Sequence, residues 1–208
     1  MPFRSGALSV RRFVVDGELP ETFFRTATMA VRRYAYKPID AERGERESFG
    51  WVNPRDVLAE KFEWEDLVDG NLVLLGVRRD RKAFNKVLYK ARRDRLFADV
   101  RRERAIERLS RQNRLAIEEE LTVRMLSEVT PTISFTELVW DLNTGDVFVG
   151  ATSKALCERL AELFASTFDL TLVPRFPSMM GYEFMAQQGL EENFHAATAA
   201  VAGQGEGA

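Results

Sequence analysis

The chain has 208 residues, 45% of them hydrophobic, and a formal net charge of −2, so it can bury a core as one domain or two small ones. A single cysteine, Cys157, excludes an internal disulfide and a metal site built from several cysteines. The sequence has neither a signal-peptide pattern nor an apolar run of about 18 residues, so we expect a cytoplasmic protein with no membrane segment.

The net charge conceals a strong asymmetry along the chain. Residues 78–114, the basic segment, hold fifteen Lys or Arg against five Asp or Glu, which gives +10 there and leaves −12 for the rest. The local field, rather than the isoelectric point, determines what such a surface attracts.

The first elements read as a strand and a helix. Residues 7–15 are rich in β-branched and aromatic side chains and end at the turn signal Asp16-Gly17, which predicts a strand. Residues 19–38 predict an amphipathic helix with Pro20 in its first turn. Its apolar positions are Phe23, Phe24, Ala27, Val31 and Tyr34.

A loop and a second strand follow. Residues 39–50 are polar and without a pattern, which predicts a loop. Residues 71–79, preceded by Asp69-Gly70, predict a buried strand.

The basic segment continues into helical sequence. Residues 84–126 contain neither Pro nor Gly, so we expect one long helix or two consecutive ones. At 100° per residue the second helix gathers one apolar side and one basic side. The apolar side consists of Ile106, Leu109, Ile117 and Leu121. The basic side consists of Arg101, Arg104, Arg108 and Arg111.

The last third predicts a hairpin, a helix and a strand. Residues 133–150 are two strands whose turn places Gly145 at the position needing positive φ. Residues 153–168, capped by Thr152 or Ser153, form a helix with the apolar stripe Leu156, Leu160, Leu163, Phe164 and Phe168. Residues 169–174 are a strand, and about the last 15 residues are expected to be disordered.

The basic segment is the strongest functional signal, because Lys and Arg sharing a helical face can neutralise successive phosphates of nucleic acid. The alternative is a solvated helix with ion pairs such as Arg104 with Glu103 or Glu107. No base-reading motif is present, so we expect contacts to the DNA backbone. The predicted DNA-binding residues are Arg78, Arg79, Lys82, Lys86, Lys90, Arg92, Arg93, Arg101, Arg104, Arg108, Arg111 and Arg114.

Other chemistry has weaker support in the sequence. Phe84, Tyr89 and Phe97 are candidates for stacking on bases, although aromatic residues at helical spacing usually belong to a core. The Mg²⁺-dependent nuclease alternative rests on acidic residues of the hairpin, two of which flank its turn as turn formers. These are Glu137, Asp141 and Asp146.

Catalytic groups are otherwise scarce. The only histidine, His195, lies in the tail, which removes His-based acid–base chemistry. Cys157 is next to Leu156 on a helix with an apolar stripe, so we expect a buried, unreactive thiol. Trp51, Trp64 and Trp140 are expected in the core or in hairpin packing. We therefore expect no enzyme activity, no cofactor and no metal.

Several landmarks, taken in order, resemble the recombination-associated protein RdgC family across residues 7–177. They are Gly50-Trp51-Val52, the strand LVLLGVRRDRK with Lys82 after its end, RLSRQNRLAIEEEL, VWDLNTGDVFVG, ATSKALCERLAELF and LTLVP. The resemblance implies a cytoplasmic, nucleoid-associated DNA-binding protein that forms ring-shaped homodimers and restrains RecA-promoted strand exchange. Typical members of the family continue well beyond the segment that matches LTLVP, and that portion helps to complete the ring, so whether this chain closes a ring stays open.

Together these observations predict an α+β protein with a mixed or mainly antiparallel sheet and flanking helices. We expect an RdgC-like domain over residues 1–177, with a long basic helical arm at about 82–127, and a C-terminal extension over 178–208. The predicted function is sequence-independent DNA binding that modulates recombination or replication. The alternative is an interaction module whose basic arm docks an acidic partner or its own subunit. Single-strand against double-strand preference stays open.

Overall fold

The computed structural model describes residues 9–59 and 63–190. Within these residues the chain forms seven strands and six helices. In chain order they are β1 (Arg11–Asp16), α1 (Phe23–Arg33), β2 (Glu47–Val52), α2 (Trp64–Leu67), β3 (Val68–Asp69), β4 (Leu72–Arg81), α3 (Lys86–Glu103), α4 (Arg111–Ser127), β5 (Thr132–Asp141), β6 (Asp146–Val149), α5 (Lys154–Phe168), β7 (Thr171–Arg175) and α6 (Pro177–Gln187).

The predicted α+β class is confirmed. Hydrogen bonds join the strands into one seven-stranded sheet in the order β2-β4-β5-β6-β1-β7, with β3 paired to β4. The pairs β1–β6, β1–β7, β2–β4 and β5–β6 are all antiparallel. The described residues divide into two compact units, unit 1 with residues 9–20, 70–73 and 138–190, and unit 2 with residues 21–59, 63–69 and 74–137.

Unit 1 is built around α5 and an aromatic cluster. Trp140 lies 5.1 Å from Phe164 and 5.6 Å from Phe168 between ring centroids, and Trp140 and Phe164 are almost completely buried. Ser153 accepts a hydrogen bond from the amide of Leu156 and caps the helix as predicted. The helix presents Leu160, Phe164 and Phe168 on one side because these residues recur at intervals of four.

The predicted hairpin of unit 1 is also confirmed. Gly145 has a φ of +73°, in the left-handed region that glycine adopts without steric cost, and its amide bonds to the carbonyl of Asp141 at 2.9 Å. Cys157 is buried, and burial raises the pKa of its thiol, as expected for an inert side chain.

In unit 2, buried hydrophobic residues lie on α1, α4, β2 and β4. Phe23, Ala27 and Val31 are buried at intervals of four along α1, which confirms the predicted apolar stripe, whereas Phe24 is exposed. Leu126 and Trp51 are among the most buried residues of this unit.

Two predictions differ from the structure, and the structure adds one helix that was not predicted. Residues 47–50 are not loop but the first part of β2, because pairing with β4 supplies their backbone hydrogen bonds. The second basic helix begins only at Arg111, so Arg101, Arg104, Ile106, Arg108 and Leu109 do not share its faces. A sixth helix, Pro177–Gln187, occupies part of the predicted extension. The expected disorder of the last residues concerns a stretch outside the described residues, as does His195.

Candidate nucleic-acid interface

The basic segment folds largely into a helical hairpin made of α3, the connection 104–110 and α4. Each helix begins at a side-chain cap that satisfies amides lacking partners in the first turn. The Asn85 side chain accepts from the amides of Val87 at 2.8 Å and Leu88 at 3.1 Å. The Ser110 hydroxyl accepts from the amide of Asn113 at 3.1 Å, and these caps set where both helices start.

The end of α3 explains why there are two helices rather than one. Ala105 adopts a φ of +51°, so the helix cannot continue through it. Its amide bonds to the carbonyl of Arg102, and the amide of Ile106 bonds to that of Arg101. This pair of bonds is the Schellman motif, which usually places glycine at the position that Ala105 occupies.

The two helices pack side by side with their ends reversed. The Tyr89 hydroxyl lies 3.5 Å from the carbonyl oxygen of Glu118 in the middle of α4, and Arg92 forms a 2.6 Å ion pair with Glu128, directly after the end of α4. Phe97 and Arg101, toward the end of α3, line one groove with Arg114 at the start of α4. The hydrogen bond from Arg92 lowers the pKa of Glu128 and keeps this carboxylate charged. Buried side chains occur on α4 but on no position of α3, so α3 is the more solvent-exposed helix.

Five arginines gather where the two helices meet. We call them the turn-end arginines, and they are Arg101, Arg104, Arg108, Arg111 and Arg114. All five side chains are exposed, and within residues 9–59 and 63–190 none forms an ion pair with a carboxylate. The ion pairs suggested by the sequence, Arg104 with Glu103 or Glu107, do not form in the described chain.

A shallow groove of about 480 Å³ runs between three of these arginines. Arg101, Arg108 and Arg114 line it together with Phe97 and Leu109. Two carboxylates, Asp94 and Glu107, also reach the groove, so its wall carries three cations and two anions. The folded chain thus places side by side arginines that lie 13 positions apart in the sequence.

Helix electrostatics do not account for this arrangement. Arg111 and Arg114 lie in the first turn of α4, where the partial positive charge of the helix N-terminus favours Asp or Glu. That turn contains no acidic residue. The arginines and the helix end therefore add their positive potentials at one place, at some cost to the stability of the helix.

The predicted site residues on β4 and just after it have other partners. Arg78 forms two 2.7 Å hydrogen bonds to Asp80 and is largely buried. Arg79 pairs with Glu47 at 2.7 Å, and the Lys82 ammonium donates to the carbonyl of Leu126 at 2.8 Å. These three residues are not grouped with the turn-end arginines.

The remaining predicted residues divide between paired and open positions. Arg93 contacts Asp94 at 2.8 Å and Glu118 at 3.7 Å. Like the Arg92–Glu128 pair, the contact with Glu118 joins α3 to the α4 side of the helical hairpin. Lys86 and Lys90 are exposed and lie one turn apart on α3. A further three turns along the same side, Arg101 continues their line toward the groove.

Sequence reasoning missed two exposed arginines of α3. Arg95 and Arg102 lie seven residues apart, two turns along one side of the helix. Arg102 is within 3.5 Å of Asp99, a weak exposed pair. The helical spacing alone would have identified them.

The aromatic candidates for base stacking are largely occupied. Phe84 stacks on Tyr89 at 5.2 Å, and the Arg46 guanidinium lies 5.1 Å from the centre of the Phe84 ring. Phe97 lines the groove, with the Arg93 guanidinium 5.7 Å from its ring centre. Phe97 is therefore the aromatic residue of the three that adjoins the turn-end arginines.

Two of the three acidic residues of the β5–β6 hairpin, Asp141 and Asp146, form structural hydrogen bonds, and the third, Glu137, is buried. Asp146 receives two hydrogen bonds from Arg12, at 2.8 and 2.6 Å, and these lower the pKa of its carboxyl. Asp141 accepts from the amide of Asn143 and from the side chain of Asn71. Within the described residues, no group of three His, Cys, Asp or Glu side chains is arranged to hold a metal ion.

No protein-family model matches the chain, and no curated protein matches it. None of the helices in the described part is both long and apolar enough to cross a membrane.

Proposed function

We propose that the protein binds DNA without sequence preference, through backbone phosphates that contact the turn-end arginines. The supporting observation is that five exposed arginines without carboxylate partners in the described chain lie at the turn between α3 and α4, and that three of them line one groove. Phosphate oxygens accept the charge-assisted hydrogen bonds that guanidinium groups donate, often in pairs.

Backbone contact fits this surface better than base reading does. The arginines surround a turn and a shallow groove, whereas base readout requires a helix or ribbon that inserts side chains into the major groove. Lys86 and Lys90 extend the cationic surface along α3 and can contact further phosphates.

The biological setting of the proposal rests on the resemblance to the RdgC family. By that resemblance, the protein associates with the nucleoid, modulates RecA-linked recombination or replication, and acts as a homodimer. Exposed apolar residues of α6 in unit 1, among them Phe184 at 62% exposure, provide a surface that self-association can cover. The proposed activity is binding rather than catalysis.

Fluorescence anisotropy with labelled random-sequence duplex and single-stranded oligonucleotides, measured over a salt series, tests the proposal. The informative variant replaces Arg104, Arg108 and Arg111 with Ala, and the matched control replaces Arg25, Arg33 and Arg55, which are exposed elsewhere in unit 2. Both variants lose the same formal charge. Since each phosphate contact contributes about −0.9 to the slope of log K against log salt, the first variant should flatten the slope by roughly 2 to 3.

The control variant should keep most of the affinity and nearly the full slope. Equal losses in both variants would mean that total charge, rather than the turn-end arginines, attracts the DNA. A wild-type protein that fails to bind at low salt would refute the proposal.

A second candidate function is docking of an acidic protein surface by the same arginines. It is favoured by the formal charge of −12 outside residues 78–114, which makes a second copy of the chain a suitable acidic partner. Size-exclusion chromatography over a salt series without DNA distinguishes the two functions. Dimers that dissociate as salt rises, together with absent DNA binding, would favour docking.

A further inference from the structure

Unit 2 contains a cavity away from the turn-end arginines. Its volume is about 600 Å³, within the range of roughly 300–1,000 Å³ typical of sites for small molecules. Much of the wall is apolar and includes Ile39, Val57, Leu58 and Pro131. An apolar wall adds little affinity for the phosphates and sugars of a nucleic-acid backbone, so a different class of ligand would fit this cavity better.

One part of the wall is a fixed polar network. Both oxygens of Asp80 accept hydrogen bonds from Arg78 at 2.7 Å, and the Tyr36 hydroxyl donates to one of them, also at 2.7 Å. The Arg78 guanidinium lies 4.4 Å from the centre of the Tyr36 ring. The side chain of Asp80 is only 2% exposed, so the network holds its geometry without help from solvent.

The backbone around Tyr36 makes this wall rigid. The Tyr36 amide bonds to the carbonyl of Trp51 at 2.8 Å, and the Trp51 amide bonds to that of Tyr34 at 3.0 Å. Gly50 passes so close that a Cβ there would lie 2.6 Å from the Tyr36 Cα atom. A rigid wall lowers the entropic cost of binding.

The wall also carries an excess of positive charge. Among the described residues, Lys37, Arg78 and Lys82 line the cavity with one carboxylate, Asp80, whose oxygens already accept hydrogen bonds. Within residues 9–59 and 63–190, the Nη1 atom of Arg78 makes one contact, of 3.4 Å, to the carbonyl oxygen of Val57. The Lys82 ammonium has three N–H groups and donates to the carbonyl of Leu126. These two cations therefore have donors to offer a ligand.

We propose that this cavity binds a small organic carboxylate with an aromatic or branched aliphatic body. The carboxylate accepts hydrogen bonds from Arg78 Nη1 and Lys82 Nζ, and Lys37 adds a favourable charge. The body occupies the apolar wall at Ile39 and Val57. This inference is independent of the proposed DNA binding.

Titration calorimetry with three probes of one shape and different charge tests the site: phenylbutyrate, phenylbutanol and phenylbutylamine. Phenylbutyrate should bind at least about tenfold more tightly than the alcohol, and the amine should not bind, because the wall is cationic. Equal affinity for phenylbutyrate and phenylbutanol, or no binding of phenylbutyrate, would overturn the proposal.

Single substitutions test whether phenylbutyrate binds in this cavity. Lys37→Met and Lys82→Met should each weaken phenylbutyrate at least about threefold, and Lys86→Met, which removes the same charge outside the cavity, should not. Lys37 lies on an exposed segment, so its variant decides the question even if Lys82→Met unfolds the protein. Val57→Trp, which fills the cavity, should abolish binding. Equal effects of Lys37→Met and Lys86→Met would refute the site.

Discussion

The ammonium of Lys82 donates a 2.8 Å hydrogen bond to the carbonyl oxygen of Leu126, which joins the residue after β4 to the last turn of α4. The carbonyls of a last helical turn lack partners within the helix and carry partial negative charge, so a cation stabilises them. Lys82 therefore has a structural role within the basic segment.

Replacing Lys82 with Met should lower the free energy of unfolding by about 1 kcal/mol, since a partly exposed charged hydrogen bond to a helix end is lost. Urea denaturation followed by circular dichroism measures the change. Lys86→Met serves as the control, because Lys86 is exposed and lies at the start of α3, and it should remain within about 0.5 kcal/mol of wild type. If Lys86→Met lost more than about 0.5 kcal/mol of unfolding free energy, removal of a positive charge, rather than loss of the hydrogen bond to Leu126, would explain the effect of Lys82→Met.

Ala105→Gly should stabilise the protein by about 1 kcal/mol. Ala105 has a φ of +51°, a conformation that costs an L-residue with a Cβ roughly 1–2 kcal/mol and glycine far less. Thermal and urea unfolding report the gain. The matched control is Ala91→Gly in the interior of α3, which should instead destabilise by up to about 1 kcal/mol because glycine disfavours the helix.

Arg111→Glu and Arg102→Glu should separate stability from binding. Both substitutions change the charge by the same amount near the same turn, so both should weaken DNA binding. Arg111 lies in the first turn of α4, where the helix end carries partial positive charge, and Arg102 lies in the last turn of α3, where it carries partial negative charge. A new carboxylate is therefore favourable at position 111 and unfavourable at position 102. Arg111→Glu should stabilise by about 0.5 kcal/mol, and Arg102→Glu should destabilise by a similar amount.

Anisotropy and urea denaturation on these two variants provide the test. If Arg111→Glu lowered stability, the helix-end argument for the turn-end arginines would not hold. If neither variant changed DNA affinity, the turn would not be part of the interface.

The pair Arg12–Asp146 should give unit 1 a pH-dependent stability. The hydrogen bonds from Arg12 lower the pKa of Asp146 in the folded state below that in the unfolded chain, about 3.9 for Asp. In the window between the two values the unfolded state binds more protons, so stability rises with pH. The contribution is complete above the unfolded value and is lost as pH falls through the folded one.

Urea unfolding from about pH 2 to pH 7 measures this dependence. Asp146→Asn should lower the free energy of unfolding by about 1–2 kcal/mol at neutral pH and reduce its decrease at acidic pH. Arg12→Met should reduce that decrease similarly, because it removes the hydrogen bonds that lower the pKa of Asp146. An acid limb identical to wild type in Asp146→Asn would assign the dependence to other carboxylates.

Local sequence patterns predicted most of the elements correctly. Phe23, Ala27 and Val31 recur at intervals of four and form the buried side of α1. Gly145 marks the turn of the β5–β6 hairpin, and Ser153 caps α5. These features depend on neighbours within a few residues, so periodicity, turn propensity and capping are sufficient to predict them.

The end of α3 and the start of β2 were not predictable in the same way. Ala105 bears no mark of a helix end, since alanine is the best helix former and the Schellman bonds depend on the path that the chain takes afterwards. Residues 47–50 have a polar, loop-like composition and become a strand through pairing with β4.

The amount of positive charge in residues 78–114 was evident from the sequence, because formal charge depends only on composition. Which arginines remain open was determined by the carboxylates placed beside them in the folded chain. Asp80 pairs with Arg78 from two positions away, whereas Glu47 pairs with Arg79 and Glu128 pairs with Arg92 from 32 and 36 positions away. Arg101, Arg108 and Arg114 meet at one groove because a turn brings two helices together. Charge is a property of residues, whereas its availability depends on which opposite charges the folded chain places beside it.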